Sequence, residues 1–390
     1  MPEFQAVSGK ADLLVLHRAA WDPNISRVIE AVHTRGGKVI YDTDDLLFDP
    51  TAFKWIDSPD FKDPVRAGLY KEEMQRHRRT MESCDAIMTS TQYLAEQAYG
   101  LGLATFVHQN AFSAEMLALA RRANENPRPE DGKITIGYAS GTPTHNLDFE
   151  TLGPALRHVL DGSKQAVLWL VGPINLDAGW INYTSRIVHL SHVPWRILPA
   201  YLSRFDINLA PLVIENPFAQ SKSEIKWMEA ALVRVPTIAS GTDTYKASIQ
   251  SGVTGLIASS ISEWQNSLTQ MIADQKLRRG IGTSAYNEVL HSYASTTRAE
   301  EFLNILQQVT NRDLKTMAIH KKKSSHFISD PVTLDSIQKM DQMEKSPSLI
   351  RMAYYSLRHR GMGTLAKQIW IFFRRLISPL LPYQTHETRH

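Results

Sequence analysis

Short apolar runs alternate with amphipathic helical patterns along most of this 390-residue chain, and that alternation constrains the fold more than any other feature. Residues 12–17 (DLLVLH) form one apolar run. A helical pattern follows over 26–34, where Val28, Ile29 and Val32 recur at helical spacing. Gly36 and Gly37 end it, and residues 38–41 (KVIY) form the next strand. The sequence then predicts helix over 74–83, strand over 86–89, helix over 91–98 and strand over 105–107. Residues 121–133 (RRANENPRPEDGK) are polar, carry two prolines and read as a linker. Beyond them come strand 134–138, helix 148–160, strands 166–171 and 185–190, helix 195–205 and strand 206–210. After Tyr293 a helical pattern runs to about residue 310. Strand–helix alternation of this kind predicts parallel sheets covered on both faces. The length suits two such domains, each with its own core, and the expected division is residues 1–125 and 133–311, with a tail over 312–390.

Composition narrows the class. Hydrophobic residues make up 43% and charged residues 21%, as in a soluble globular protein. Cys84 is the single cysteine, so no disulfide forms within the chain, and nothing points to an oxidising compartment. The first twenty residues lack a signal-peptide pattern, and no run of eighteen apolar residues occurs. These features predict a cytoplasmic protein. The net charge of +3 is unevenly spread. Residues 312–390 hold 14 Lys and Arg against 6 Asp and Glu, a net of +8, while residues 1–311 carry −5. A nucleic-acid-binding body is therefore not expected. Residues 315–345 read as a loose connection. Within 363–382, Leu365, Ile369, Phe372, Phe373, Leu376 and Ile377 oppose Lys367, Arg374 and Arg375, a pattern that predicts an amphipathic helix suited to an anionic membrane surface.

The segment 221–240 (SKSEIKWMEAALVRVPTIAS) carries the most chemical information. Lys226 and Glu229 are three residues apart and share one face of a predicted helix. Trp227, Met228, Ala231 and Leu232 fill the opposite face, and Pro236 opens an apolar strand. A cation and an anion on the open face of such a helix suit a ligand with both phosphates and hydroxyls. Taken alone, Lys-x-x-Glu is equally a surface ion pair, and such pairs are individually weak.

The surrounding sequence resembles the carboxyl-terminal half of group 1 glycosyltransferases, which have the GT-B fold. The likeness rests on Lys226 to Glu229 with Ala230, on the strand 235–240, on Gly252, Gly255 and Leu256, on Glu263 with Trp264, and on a helix over 277–285. It extends over about residues 133–295. The amino-terminal half resembles the same group through YDTDD at 41–45, Ser90 to Leu94, and Gln109 with Asn110. Relative to that pattern the first domain is shortened by at least one strand–helix unit. The resemblance implies an α/β fold of two Rossmann-like domains, a nucleotide-diphosphate sugar as donor, a glycan or polyprenyl-linked acceptor, no cofactor, and retention of anomeric configuration. It also implies that Glu229 accepts from ribose hydroxyls and that Lys226, with Lys222, balances the departing diphosphate. The group's second glutamate, eight residues before Glu229, is Ser221 here, and Glu224 is the nearest acid.

Two further segments are candidates. The loop 137–149 (GYASGTPTHNLDF) offers Gly141 for close backbone approach, Thr142 with its hydroxyl, and His145 as a phosphate donor. Amides opening a helix at Asp148 would cradle phosphate, and an ordinary turn with Asp148 as its N-cap is the alternative. The acids Asp42, Asp44 and Asp45 include an Asp-x-Asp of the kind that holds a divalent ion in the other glycosyltransferase fold. In a GT-B chain basic side chains take that role, so no metal is expected. Asp44 is then an acceptor contact or a base toward an acceptor hydroxyl. His17 and His108 end strands that should point into the cleft. The candidate donor site is thus Gly141, Thr142, His145, Ser221, Lys222, Glu224, Lys226 and Glu229, with Lys226, Glu229 and Asp44 as its catalytic members. The main rival is a catalytically inactive nucleotide-sugar-binding or scaffolding relative. No zinc-like Cys or His spacing, nucleophile elbow or Gly-x-Gly-x-x-Gly after a strand occurs.

Overall fold

The structure, a computed structural model, describes residues 11–125, 131–190 and 192–311. The expected amphipathic helix at 363–382 lies outside the described residues. Among the described residues, ten parallel strands form two sheets. The first sheet has four strands in sequence order: β1 (Leu13–His17), β2 (Lys38–Thr43), β3 (Ala86–Thr89) and β4 (Ala104–Val107). The second has six: β5 (Ile134–Ala139), β6 (Ala166–Val171), β7 (Ile187–Leu190), β8 (Ile207–Ala210), β9 (Thr237–Ser240) and β10 (Leu256–Ala258), in the order β10-β9-β8-β5-β6-β7. Among the described residues the first sheet is thus two strands smaller than the second.

Helices connect the strands: α1 (Pro23–Thr34), α2 (Pro64–Glu82), α3 (Gln92–Tyr99), α4 (Ala114–Glu125), α5 (Asn146–Glu150), α6 (Gly153–Gly162), α7 (Leu198–Leu202), α8 (Pro217–Gln220), α9 (Ile225–Leu232), α10 (Asp243–Ser248), α11 (Ile261–Ala273), α12 (Gln275–Ser292) and α13 (Ser295–Thr310). Their starts are legible locally. Asp22 caps α1 through its carboxylate, which accepts from the amides of Asn24 and Ile25. Thr91, Ser260 and Asp274 cap α3, α11 and α12 in the same way.

The six-stranded sheet is buried on both faces. One face packs Phe149, Leu156, Trp180 and Leu268 against β5, β6 and β8. The other packs Trp227, Met228, Ala231 and Val289. After α12 the chain returns to the first sheet. Ile305 of α13 is buried with Ile40, Ala86 and Met88, and Phe302 and Leu306 pack beside it. The terminal helix therefore covers a face of the smaller sheet.

Several sequence expectations change. The predicted helix 148–160 is two pieces, α5 and α6, because Pro154 has no N–H and its ring would strike the preceding turn. The predicted helix 195–205 shrinks to α7, with Pro199 at its start. The strand expected at 185–190 begins at Ile187, the preceding residues forming a 3-10 helix, Ala178–Arg186. The expected linker at 121–133 is helical as far as Glu125, since Ala120 and Ala123 are buried and Asn124 donates to the Leu232 carbonyl at 3.3 Å.

Candidate active site

A doubly wound sheet binds ligands beyond the carboxyl ends of its strands, where the strand order reverses. In the second sheet that point lies between β5 and β8. The residues following both strands, Ser140 with Gly141 and Leu212, line a cavity of about 390 Å³, together with Val171 at the end of β6. That size suits a small ligand. The crossing is tight. Gly172 has φ +111°, and a Cβ there would meet the Ser140 carbonyl oxygen at 1.8 Å, so only glycine lets β5 and β6 end this close.

Helix α9 supplies the central pair. Trp227, Met228, Ala230, Ala231 and Leu232 are buried, and Trp227 Nε1 donates to the Thr254 carbonyl at 2.7 Å. With that face fixed, Lys226 and Glu229 both line the cavity. Lys226 Nζ donates to the Ala139 carbonyl at 2.5 Å and lies 5.2 Å from the centre of the Tyr138 ring. Burial lowers the Lys226 pKa, while Glu229 and Asp148 oppose the shift. Burial raises the Glu229 pKa, and Lys226 opposes it. Each charge thus offsets part of the other's desolvation.

The loop after β5 is arranged differently from its sequence reading. Asp148 is no N-cap. It lies within the five-residue α5, buried, where Oδ2 meets His145 Nδ1 at 2.8 Å and Oδ1 accepts from the Val213 amide at 2.9 Å. Asp148 therefore orients His145, which lines the cavity. Burial lowers the His145 pKa and favours the neutral ring, though Asp148 pulls the other way. Gly141 lines the cavity with open space where a Cβ would stand. Thr142 does not line it; its hydroxyl pairs with Thr144 Oγ1 at 2.7 Å.

Two other candidates turn away. The Ser221 hydroxyl donates to the Phe218 carbonyl at 2.7 Å inside a buried turn. Glu224 is buried, faces Tyr293 and Arg298, and lines no part of the cavity. Lys222 does reach the cavity, not from α9 but from the turn before it.

The first sheet contributes the opposite wall through Arg18, Asp44, Asp45 and Asn110. Arg18, at φ 45°, bonds Asp44 through Nε and Asp45 through Nη2 at 2.8 Å. Asp45 also takes Lys222 Nζ at 2.5 Å, and Asn110 Nδ2 donates to Ser223 Oγ at 2.8 Å. Asp44 thus lines the cavity as the partner of a guanidinium. Among the described residues, no group of three or more His, Cys, Asp or Glu side chains is placed to hold a metal ion. His108 departs from expectation: it packs against the Phe302 ring at 5.4 Å and does not line the cavity. The role of Arg18 escaped the sequence reading. The available signal was a cation directly after an apolar strand, facing a cluster of acids on the next strand. Val193, Trp195 and Leu198 complete an apolar end of the cavity.

Comparison with known proteins bears on the fold. Residues 151–304 match the model of a family described as glycosyl transferase-like. Among solved structures, Anabaena HepE in complex with UDP and glucose is similar at TM-score 0.53 and 14% identity, over 79% of this chain and 81% of that one. The chain has the GT-B fold. Sucrose-phosphate synthase from Thermosynechococcus elongatus shares the fold with this chain at TM-score 0.52 and 16% identity, over 79% and 76% of the two chains. A UDP-forming trehalose-phosphate synthase from Burkholderia xenovorans does so at TM-score 0.51 and 12% identity, over 79% of each. Comparison with curated protein sequences gives no match to this chain.

Proposed function

We propose that the protein transfers a sugar from a nucleotide-diphosphate sugar, of the UDP class, to a hydroxyl of a glycan or polyprenyl-linked acceptor. The observation that carries this reading is the emergence of Lys226 and Glu229 side by side into one cavity at the switch point of the second sheet. Similarity to HepE in complex with UDP-glucose supports a UDP-sugar donor.

The parts then have distinct roles. Glu229 accepts hydrogen bonds from the ribose hydroxyls. The Val193, Trp195 and Leu198 end receives the nucleobase. The Lys226 ammonium, pre-positioned by the Ala139 carbonyl, balances the diphosphate as it leaves. A charge held in place before the reaction stabilises the departing diphosphate without reorganisation. His145, held by Asp148 through Nδ1, donates from Nε2 to a phosphate oxygen in its protonated form, which the charge of the bound diphosphate favours. Lys222 adds a second cation once Asp45 releases it. The outcome at the anomeric carbon depends on where the acceptor proton goes. Retention can send it to the departing diphosphate, whereas inversion calls for a protein base on the opposite side of the sugar.

Calorimetric titration with UDP, followed by assay of UDP release from a panel of UDP-sugars, tests the reading. Binding together with release supports it. UDP binding with no release from any donor favours an inactive binding relative. No UDP binding at all removes the donor assignment.

A further inference from the structure

We infer that the protein carries a second ligand site, for a neutral sugar unit, in a cavity separate from the donor cavity. The inference goes beyond the transfer reading and does not depend on it. Ser248 at the end of α10, Tyr293 just after α12 and Arg298 on α13 line this cavity, with Gln109, His291 and Glu301 around them. Its volume is about 360 Å³, close to that of the donor cavity. The two are neighbours along the chain. Gln109 precedes Asn110, and Glu224 stands between Ser223 and Ile225, and those three flanking residues line the donor cavity.

Buried polar groups without partners concentrate here. Arg298 is 8% exposed. Its Nη1 donates to Glu301 at 2.6 Å, but its buried Nε has no hydrogen-bond partner. The same holds for Ser248 Oγ. Tyr293 borders Ser248, Arg298 and Glu224. Both carboxylate oxygens of Glu224 lack partners as well, and so does Nδ1 of His108, the residue before Gln109. Buried polar groups are nearly always hydrogen-bonded, and leaving one unpaired costs stability. Two of these orphaned atoms, on Ser248 and Arg298, belong to residues that line the cavity, so a ligand seated there can complete their bonds.

Charge selects the class of ligand. An anion would meet Glu288 and Glu301 on the lining, and the Arg298 charge is already answered by Glu301. A cation would meet Arg298, and the carboxylates are engaged, Glu301 by Arg298 and Glu288 by the Ser292 hydroxyl at 2.6 Å. Among the described residues, no three His, Cys, Asp or Glu side chains are grouped to hold a metal ion. What the lining offers is a donor at Arg298 Nε, hydroxyls at Ser248 and Tyr293 that both donate and accept, the Gln109 amide and the His291 ring. Donors and acceptors set side by side, with their charges paired off, match the adjacent hydroxyls of a sugar ring, each of which donates and accepts at once.

The test uses the full chain and, as probes, the methyl glycosides of glucose, galactose, mannose and N-acetylglucosamine, with glucose 6-phosphate as the charged control. Calorimetry measures binding and hydrogen exchange locates it. At least one neutral glycoside should bind with a Kd of about 1 mM and should do so within about twofold whether or not UDP is saturating. It should protect amides in 243–248 and 291–301, the segments that line the cavity. Glucose 6-phosphate should bind there at least about tenfold more weakly. Ser248→Ala should weaken glycoside binding about fivefold, and Arg298→Met about tenfold, the scale of a neutral and a charged hydrogen bond, with UDP affinity unchanged in both. Because Ser248 Oγ has no partner in the free protein, Ser248→Ala should unfold at the wild-type temperature, and it stays decisive if Arg298→Met does not fold. No binding of any neutral glycoside, displacement by UDP, protection confined to the donor cavity, tighter binding of glucose 6-phosphate at these segments, or wild-type affinity in Ser248→Ala would overturn the second site. None of these outcomes touches the transfer reading, which stands or falls on UDP binding and release.

Discussion

The two walls of the cavity hold similar charges in opposite ways. On the second sheet, Lys226 and Glu229 rise from a helix whose other face is locked by Trp227, and burial shifts both pKa values toward the neutral forms. On the first sheet, Arg18, Asp44 and Asp45 satisfy one another at a more exposed rim, with Lys222 drawn across to join them. A desolvated, fixed charge interacts strongly with a ligand that completes its hydrogen bonds, whereas a solvated pair exchanges partners at low cost. In the transfer proposed above, the second wall holds the donor in one geometry, and the first releases Lys222 to the diphosphate and lets an acceptor exchange.

Breaking the rigid wall should produce the largest effects. Lys226→Ala should lower turnover by about 10²–10³-fold, the loss seen when one pre-positioned donor to developing negative charge is removed. UDP should lose more affinity than uridine, and equal losses for the two would contradict a diphosphate role. Glu229→Ala should weaken UDP binding by about tenfold, close to 1.4 kcal/mol, for a lost charged hydrogen bond. Calorimetry with UDP reads both. Because Glu229 lies on an open cavity face rather than in the core, thermal unfolding of this variant should stay near wild type.

The more exposed wall should respond less and in the other direction. Asp45→Asn removes one partner of Lys222. The pair is partly exposed, so stability should fall by no more than about 1 kcal/mol. UDP should then bind a few-fold more tightly at low salt, since Lys222 no longer has to leave a carboxylate, and the gain should shrink as salt rises. Weaker UDP binding in this variant would mean that Asp45 helps to form the donor site instead of competing with it.

The contrast between the walls also explains what could be read from the sequence. The strand–helix alternation revealed both sheets, because buried parallel strands leave unbroken apolar runs such as 166–171. Lys226 and Glu229 were legible because a local rule, three-residue spacing on a helix, places both on one face. Ser221 and Glu224 were misplaced because they precede α9, where the turn and not helical periodicity directs the side chains. Asp148 was misread since the helix starts two residues before it and one of its partners, the Val213 amide, stands on a loop 65 residues away. Arg18 was missed because its partners stand 26 and 27 residues on and meet it only through the β1–β2 pairing.

Glu224 allows the smallest and most discriminating test. It stands five residues from Glu229, yet it is 1% exposed, lines no part of the cavity, and neither carboxylate oxygen has a hydrogen-bond partner. Burial raises its pKa, with Tyr293 and Arg298 offsetting part of the shift. For an acid whose folded pKa lies above its unfolded one, the folded state holds the proton more tightly. Wild-type stability should therefore fall as pH rises from the unfolded pKa through the folded one. Glu224→Gln removes the ionisation and should be more stable than wild type at pH 8 by about 1 kcal/mol, the scale of a poorly satisfied buried polar group. The advantage should disappear toward pH 4, where wild-type Glu224 is protonated as well. UDP affinity should be unchanged throughout. Thermal unfolding across that pH range, with parallel UDP titrations, separates the two glutamates. A loss of UDP binding in Glu224→Gln would place this residue in the donor site after all, and a pH-independent stability difference would mean that its carboxylate is satisfied in the folded protein.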